Sequence, residues 1–375
     1  MKNQLSLSFL LITACLLLSC SQDKQISKTL HVETEGTLST LITKGEKDQI
    51  THLTLTGNLN GDDFRYIREM AGLAYEGEAT SGKLTDLDLS GAKIVGGGHY
   101  YYNPEKLMMY DASDNTIGDK IFYNCKQLTS IRLPKSITSI GVGAFEGCGG
   151  LTSIILPESL TSIGVSAFSD CSGLASLILP ESVISIGFAA FKNCSGLASL
   201  TLPDSIQSWS SGVVSGCKRL KEFQVSAGNT RFSQSDGVLF NFDKTTLIAY
   251  PSARSTNYTI PNSVTTIQTM AFAGCFFLTS ILLPDSLASI EIGAFLACRR
   301  LTSITLPDRV TSIGDIAFMR CDKLIAIHCK AVAPPTVKER SFDYKETCTL
   351  FVPKGSLSAY KKADGWKTFK RIVEE

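Results

Sequence analysis

The sequence has few charged residues and almost no net charge. Charged side chains make up 19% of its 375 residues, and 36 Lys and Arg against 35 Asp and Glu leave a net charge of +1. Proteins that bind nucleic acid neutralise phosphates with clustered Lys and Arg, so this balance argues against a nucleic-acid partner. Hydrophobic residues make up 43% of the chain, which excludes charge-driven disorder for most of it.

The sequence is also poor in the residue patterns of catalysis. It has only four His, which are scattered along the chain, and it lacks H-E-x-x-H, G-x-S-x-G and P-loop motifs. Its 12 Cys include no C-x-x-C pair, which disfavours a zinc site. We therefore assign no catalytic or metal-binding residue, and we expect a non-enzymatic protein without a cofactor.

Long apolar runs are missing except near the amino terminus. Residues 5–18 form one apolar run, which is shorter than a membrane-spanning helix requires and ends in Leu-Leu-Ser-Cys at Cys20. These residues resemble the lipobox of bacterial lipoproteins, in which the Cys is lipidated and becomes the first residue of the mature chain. An ordinary secretory signal and an uncleaved anchor are the alternatives.

The lipobox resemblance implies a division of the first residues. Residues 1–19 would be a lipoprotein signal peptide, Cys20 would be the lipid attachment site, and residues 20–29 would form a polar tether. Ser21 stands where an Asp is associated with retention in the inner membrane. The resemblance therefore implies a lipid anchor in the outer membrane, with exposure at the cell surface.

Eight cysteines mark a repeat of 23 residues. One unit, starting at Cys148, reads CGGLTSIILPESLTSIGVSAFSD, and self-similarity at such a period is typical of a solenoid. Without a zinc pattern, these residues are expected to pack as a column of small apolar thiols. Cys329 and Cys348 lie outside the repeat and could pair with each other in an exported protein. The eight residues of this cysteine column are Cys125, Cys148, Cys171, Cys194, Cys217, Cys275, Cys298 and Cys321.

Within each unit, the segment Leu-x-x-Ile-x-Leu predicts a short strand. Leu151, Ile154 and Leu156 are expected to point inward, and the alternation of a strand leaves Ile155 on the outer face. Pro157 ends the strand because it has no N–H to donate to a neighbouring strand. A second half-turn, Ser-Ile-Gly, returns the chain, and Ala-Phe closes the coil. The prediction is a β-rich solenoid of 23-residue coils.

The full pattern, Cys-x-x-Leu-x-Ser-Ile-x-Leu-Pro followed by Ser-Ile-Gly-x-x-Ala-Phe, resembles the BspA-like class of bacterial leucine-rich repeats. The resemblance covers nearly the whole chain. It implies a leucine-rich repeat solenoid at residues 117–327, an amino-terminal cap region at 30–116 and a carboxy-terminal cap at 328–375. Proteins of this class are typically exported to the surface, and some are adhesins. We therefore expect a monomeric surface lipoprotein that mediates protein–protein interaction, with adhesion to host or microbial proteins as its role.

The repeat is interrupted once. Cys217 and Cys275 are 58 residues apart, where the regular spacing would be 23. Two apolar runs flanking Asn-Phe-Asp-Lys-Thr predict a β-hairpin that projects from the solenoid, within an insertion at about 226–258. Trp209 takes an Ile position in the preceding coil. It either packs beneath the insertion, which we favour, or belongs to an interaction platform.

The outward position of the main strand defines a candidate interaction face. Its neighbours are Thr, Ser or Ala in most coils, so the face is weakly charged and suits protein or glycan. A protein partner would use several coils of this face. A glycan partner, in an accessory protein for nutrient capture, would depend on a few aromatics such as Trp209 or Tyr100 to Tyr102. With Trp209 included, the candidate residues are Arg132, Ile155, Ile178, Thr201, Trp209, Gln224, Leu282, Thr305 and His328.

Overall fold

A computed structural model describes residues 25–103, 110–343 and 345–375 of the chain. The described residues form a solenoid in which most repeat coils contribute one strand to each of two parallel faces. We call these faces the first and second sheets, although the strand pairing along each of them is interrupted. The first sheet uses the Leu-x-x-Ile-x-Leu segment, and the second sheet uses the Ser-Ile pair before the Gly. The predicted β-rich solenoid of 23-residue coils is confirmed.

The described chain starts inside the predicted tether. The signal peptide at residues 1–19 and the lipid attachment site Cys20 lie outside the described residues. Strand β1 (Ser27–Val32) begins before the predicted tether ends at residue 29, and it pairs in parallel with the next strand. Residues 27–29 therefore belong to a strand and not to a tether, and that strand ends at Val32, which is fully buried.

The amino-terminal region, predicted as a cap, carries four strands of six to nine residues, which are longer than the strands of the repeats. After β1, its strands are β2 (His52–Leu59), β3 (Asp86–Ile94), β4 (Gly97–Tyr102), β5 (Tyr110–Ala112) and β6 (Thr116–Ile117). Its helices are α1 (Leu38–Leu41), α2 (Lys44–Lys47) and α3 (Gly61–Met70). Strands β1, β2 and β3 are parallel, and the first sheet continues from β3 into the repeats. The region therefore extends the solenoid.

The first block of repeats follows with strands two to four residues long. They are β7 (Ser130–Arg132), β8 (Ser139–Ile140), β9 (Ser153–Ile155), β10 (Ser162–Ile163), β11 (Ser185–Ile186), β12 (Ser199–Leu202), β13 (Ser208–Trp209) and β14 (Glu222–Val225). In the second sheet, Ile163 pairs with Ile186, and Ile186 pairs with Trp209. The 23-residue spacing of the sequence is thus the register of the sheet.

The insertion does not project, contrary to our expectation. Strands β15 (Phe232–Ser235), β16 (Val238–Asn241) and β17 (Thr246–Ala249) pair antiparallel. Because neighbouring residues of a strand face opposite ways, Leu239 packs in the core of the first repeat block while Phe240 packs in the core of the second. Both side chains are fully buried. We call β16 and β17 the partition, since they separate two hydrophobic cores.

The second block of repeats runs from the partition to the end of the chain. Its elements are β18 (Asn257–Thr259), β19 (Thr266–Ile267), β20 (Ser280–Leu282), β21 (Ser289–Ile290), β22 (Ser303–Leu306), β23 (Ser312–Ile313), β24 (Ala326–Cys329), β25 (Thr336–Val337), β26 (Thr349–Val352), α4 (Leu357–Lys362) and β27 (Arg371–Glu374). Strand β17 pairs in parallel with β19 and so begins the second sheet of this block. The insertion is therefore part of the solenoid wall.

The closing Phe residues form two stacked columns inside the solenoid. In the first block, the ring centroids of Phe145 and Phe168 are 5.1 Å apart and nearly parallel. In the second block, Phe295 and Phe318 are also 5.1 Å apart. Val214 occupies the equivalent position in the coil before the insertion, where the first column ends. Offset-stacked rings at this spacing add to the burial of their apolar surface.

The thiols of the cysteine column contact the backbone of the preceding coil, which explains why each unit carries a Cys. Seven thiols point back across one coil, and most of them lie close to the carbonyl oxygen of the Phe that closes the preceding coil. The Cys148 thiol donates to the Phe122 carbonyl at 2.9 Å, and the Cys298 thiol donates to the Phe272 carbonyl at 3.2 Å. Each of these carbonyls also accepts from a backbone N–H, as Phe122 does from Cys125 at 3.0 Å, so the thiol adds a second, weak donor and fills the space beside it.

At the amino-terminal end of the repeats, side chains supply hydrogen bonds that the backbone of a preceding coil supplies elsewhere. In the segment that closes each coil, backbone N–H groups donate to carbonyls of the following coil, as Phe122 does to Ala144 at 2.8 Å. The first regular coil has no regular predecessor to donate in this way. Instead, the Tyr101 hydroxyl donates to the Asp119 carbonyl at 2.6 Å, and Arg68 Nη1 donates to the Ile121 carbonyl at 2.8 Å.

The carboxy-terminal end is closed by large aromatic side chains. Tyr360 and Trp366 are fully buried, and the Trp366 ring lies 5.4 Å from Phe342, the last ring of its column. Trp366 Nε1 donates to the Pro335 carbonyl at 2.7 Å, so the polar group of the ring is satisfied. No helix in the described part of the chain is long and apolar enough to span a bilayer.

Candidate interaction surface

The outer side of the first sheet holds most of the residues that the sequence proposed for binding. Alternation along β9 buries Ile154 and leaves Ile155 59% exposed. At equivalent positions, Ile178 is 85% exposed and Leu282 is 60% exposed. The remaining members of this side are exposed or half-buried polar residues: Arg132, Thr201, Gln224, Thr305 and His328.

Ile155 and Ile178, in neighbouring coils, lie where the strand pairing of the first sheet is interrupted. Residues 174–180 carry no strand, although the coils on both sides do. Ile155 and Ile178 line a shallow cavity of about 300 Å³ together with Glu158 and Pro180. Two exposed apolar side chains beside a cavity form an apolar patch of the kind that a partner molecule can cover.

The polar members of this side are held by neighbours. Arg132 Nη1 lies 3.6 Å from Asp88 Oδ2, a distance that allows an ion pair at the surface. The Thr201 hydroxyl donates to Gln224 Oε1 at 3.4 Å. These contacts cross from one coil to the next, so paired polar groups flank the two isoleucines on both sides.

At the other end, an aromatic residue that the sequence reasoning missed joins the surface. The His328 ring stacks on Phe351, with centroids 4.5 Å apart, and its Nδ1 lies 2.9 Å from Glu375 Oε2. Phe351 follows His328 by one period of the repeat. Extending the 23-residue spacing into the predicted cap would have found it.

The insertion divides this side of the solenoid in two. The Phe223 N–H of β14 donates to the Gly237 carbonyl in the β15–β16 turn at 2.8 Å. Among the described strands, β14 pairs with β12 and β18 pairs with β20, but β14 and β18 do not pair with each other. We call the outer residues before the break the amino-terminal patch, which comprises Arg132, Ile155, Ile178, Thr201 and Gln224. The carboxy-terminal patch comprises Leu282, Thr305, His328 and Phe351.

Trp209 does not belong to either patch, and its inclusion in the interaction face was wrong. It lies on β13 of the second sheet, is 8% exposed, and packs edge-on against Phe223 with centroids 5.8 Å apart. The favoured alternative, packing beneath the insertion, agrees with its place in the first core. Of the three consecutive tyrosines, Tyr101 and Tyr102 are buried and Tyr100 is 40% exposed.

The described cysteines pack inside the solenoid. The ten cysteines that the structure describes, Cys329 and Cys348 among them, are buried and free. Burial raises the pKa of Cys348 to about 11, so its thiol is neutral at physiological pH. Within the described ranges, no group of three or more His, Cys, Asp or Glu could hold a metal ion.

Comparison with known proteins agrees with this architecture. A family model described as a BspA type leucine-rich repeat region matches residues 115–236 and 248–360 in six copies. A leucine-rich repeat protein from Eubacterium ventriosum is 24% identical, with a TM-score of 0.52, over 70% of this chain and 73% of that one. The pneumococcal vaccine antigen PcpA is 24% identical, with a TM-score of 0.51, over 80% of this chain and 87% of its own. No curated protein matches the chain.

Proposed function

The chain belongs to the BspA-type leucine-rich repeat family, and from that premise we propose that it is a lipid-anchored protein of the bacterial surface that binds protein partners. Its role would be adhesion to host or microbial proteins, with Cys20 as the lipid attachment site in the outer membrane. The two patches of the first sheet would make the contacts. No catalytic step enters this function.

The observation that carries the proposal is the exposure of large aliphatic side chains along the outer side of the first sheet. Ile178 is 85% exposed, Leu282 is 60% exposed, and Ile155 is 59% exposed. Apolar side chains surrounded by satisfied polar ones are the usual composition of a protein–protein contact. Of the aromatic residues that the sequence offered for a glycan, Trp209, Tyr101 and Tyr102 are buried and Tyr100 is 40% exposed, so the exposed aliphatic side chains favour a protein partner.

Charge placed on the amino-terminal patch tests this function. We expect Ile155→Asp/Ile178→Asp to lower attachment of the full chain to surfaces coated with fibronectin, laminin or collagen at least tenfold. The control is Ile184→Asp/Ile292→Asp, because these residues are 45% and 50% exposed but lie outside both patches. Equal attachment by both variants, or no attachment by the unaltered chain, would contradict adhesion through this sheet.

The anchor is tested separately. Cys20→Ala should release the chain from the membrane fraction, and mass spectrometry of the unaltered protein should find an acylated Cys20 at the mature amino terminus. Protease treatment of intact cells should then digest the protein, since a surface position leaves the solenoid accessible. A different mature start or a protease-resistant chain would overturn the proposed location while leaving the binding function open to its own test.

A further inference from the structure

A second concave surface lies on the solenoid edge where each coil closes. It crosses five coils, from Phe188 to Arg320, and encloses about 580 Å³. This edge groove is distinct from the amino- and carboxy-terminal patches, because its residues follow the second sheet rather than the first. A volume of this size accommodates a few side chains of a peptide.

The floor of the edge groove is low because two neighbouring coils present very small residues. Gly212 and Gly216 belong to one coil, and Gly274 belongs to the next coil along this edge. A Cβ atom added at Gly274 would lie 2.7 Å from the Gly216 backbone nitrogen, so the two coils meet backbone to backbone. The depression is therefore built into the stacking of the coils.

The walls of the edge groove are apolar and partly open to solvent. Phe188 is 42% exposed at one end. Met270, Phe276 and Met319 are half-buried along the sides. Methionine side chains adapt to differently shaped apolar partners, which makes them common on surfaces that bind peptides. Exposed apolar side chains that line a groove are typical of a binding site.

The rim of the edge groove is basic, although the whole chain is nearly neutral. Lys192, Arg299 and Arg320 line it with exposed side chains. Lys218 Nζ lies 5.5 Å from the centroid of the Phe276 ring, and Arg299 Cζ lies 5.7 Å from it. Asp322 balances part of this charge, with an oxygen 3.8 Å from Arg299 Nε. The rim concentrates positive charge around an apolar floor.

We propose that the edge groove binds an acidic peptide segment of a partner protein. An aromatic or aliphatic side chain of the segment occupies the floor between Phe188 and Met319, and flanking Asp or Glu residues pair with Arg299 and Arg320. The charge of the rim selects carboxylates, since an ion pair beside a low-dielectric wall is stronger than one in open water. The apolar floor favours a peptide over a sulfated polysaccharide, which would have no side chain to bury there.

Three fluorescein-labelled dodecapeptides test the proposal by fluorescence anisotropy with the full chain. The first has central Phe and Leu residues flanked by Asp and Glu, the second replaces Phe and Leu with Ser, and the third replaces the acidic residues with Lys. We expect binding of the first peptide, at least tenfold weaker binding of the second, and no binding of the third. Added salt should weaken binding of the first peptide.

Variants of the rim and the floor connect that binding to the edge groove. Arg299→Glu/Arg320→Glu should lower affinity for the first peptide at least tenfold. The control Lys135→Glu/Arg309→Glu makes the same charge change at exposed turn positions on another edge and should change affinity less than twofold. Met319→Ser should weaken binding several-fold without altering charge, and its circular dichroism should stay that of the unaltered chain.

The outcomes separate this proposal from the proposed adhesion. Equal binding of the first two peptides, binding unaffected by the rim variant, or no binding at all would overturn the edge groove as a peptide site. Rim-dependent binding of heparin without binding of the first peptide would assign the groove to an anionic polysaccharide instead. Attachment to matrix proteins should persist in the rim variant, because the two patches of the first sheet are intact.

Discussion

At the scale of single residues, the cysteine column couples stability to alkaline pH. Burial raises the pKa of Cys171, Cys217 and Cys321 to about 12, because a thiolate there would lose its hydration. Their ordinary value is 9.0. The folded chain therefore holds neutral thiols under conditions in which the unfolded chain has begun to ionise.

We expect the free energy of unfolding to be unaffected by these thiols below about pH 9 and to fall between about pH 9 and pH 12. Each thiol that ionises only in the unfolded chain contributes a slope of about 1.4 kcal/mol per pH unit. Urea unfolding at pH 8, 9.5 and 10.5 measures how the free energy of unfolding changes with pH. In Cys171→Ala/Cys217→Ala the slope should be smaller by about two such contributions, and an unchanged slope would contradict the burial of neutral thiols.

The same coils hold residues other than glycine in the left-handed region of backbone conformation. Ala297 has φ of 60°, and Gly293, four residues earlier, has φ of 59°. A Cβ atom at Gly293 would meet nothing closer than 3.4 Å, so a substitution there would test backbone strain without a clash. These two positions form a matched pair.

We expect Ala297→Gly to raise the free energy of unfolding by about 1 kcal/mol and Gly293→Ala to lower it by a similar amount. The physical reason is that the left-handed conformation brings Cβ close to the following carbonyl oxygen. Urea midpoints at constant m-value measure both changes. Shifts of the same sign in the two variants would show that side-chain packing, and not backbone conformation, dominates here.

At the scale of elements, the amino-terminal end of the repeats depends on side-chain donors. The Tyr101 hydroxyl supplies a hydrogen bond to Asp119 that an earlier coil would otherwise supply from its backbone. We expect Tyr101→Phe to lower the free energy of unfolding by about 1 kcal/mol, because it leaves that carbonyl without its donor. Tyr100→Phe is the control, since Tyr100 is 40% exposed. Equal effects of the two substitutions would refute the capping role.

The strands of the insertion illustrate what the sequence could and could not predict. Antiparallel pairing followed from two apolar runs around a polar turn, but Val238, Leu239 and Phe240 are consecutive apolar residues. Such a run indicates burial on both faces, and a projecting hairpin would bury at most one. That local signal for the partition was present, yet the two cores it separates are formed by residues far apart in sequence.

The candidate sites show the same limit. Exposure at Ile155 and Ile178 follows from strand alternation, which needs only the local pattern. The burial of Trp209 also follows, because Trp209 takes the position of a buried Ile in the repeat. The depth of the edge groove does not, because Gly216 and Gly274 come together across the insertion. Contacts between coils that are not one period apart are invisible to a repeat pattern. Lipidation of Cys20 stays a prediction.

At the scale of the whole molecule, a repeat of constant register should tolerate the loss of one complete coil. Removing residues 148–170 takes out one 23-residue unit and joins Gly147 to Cys171. We expect the shortened chain to fold, with an m-value in urea lower by less than about a tenth, because each coil contacts mainly its neighbours.

The matched control removes residues 148–169, one residue fewer. The extra residue, Asp170, offsets the following coils from the preceding coil by one position, so inward side chains next to the junction turn outward. We expect this variant to lose the native circular dichroism of the first block or to aggregate. Similar stability of both deletions would mean that the coils do not share a fixed register.

The direction of the bonds between coils gives the chain a natural order of assembly. Each thiol of the column that bonds a Phe carbonyl reaches an acceptor 26 residues nearer the amino terminus, so the acceptor has already been synthesised when the thiol appears. Backbone N–H groups of the segment that closes each coil point the other way and wait for the next coil, as Phe145 does for Ala167. The N–H groups at the strands donate back to the coil already made, as Thr152 does to Thr129. Near the end of the repeats, the Arg320 N–H meets a carboxylate oxygen of Asp343 at 2.8 Å instead of a backbone carbonyl. A chain threaded amino terminus first can therefore add coils as they emerge, with its growing end always open to the next one.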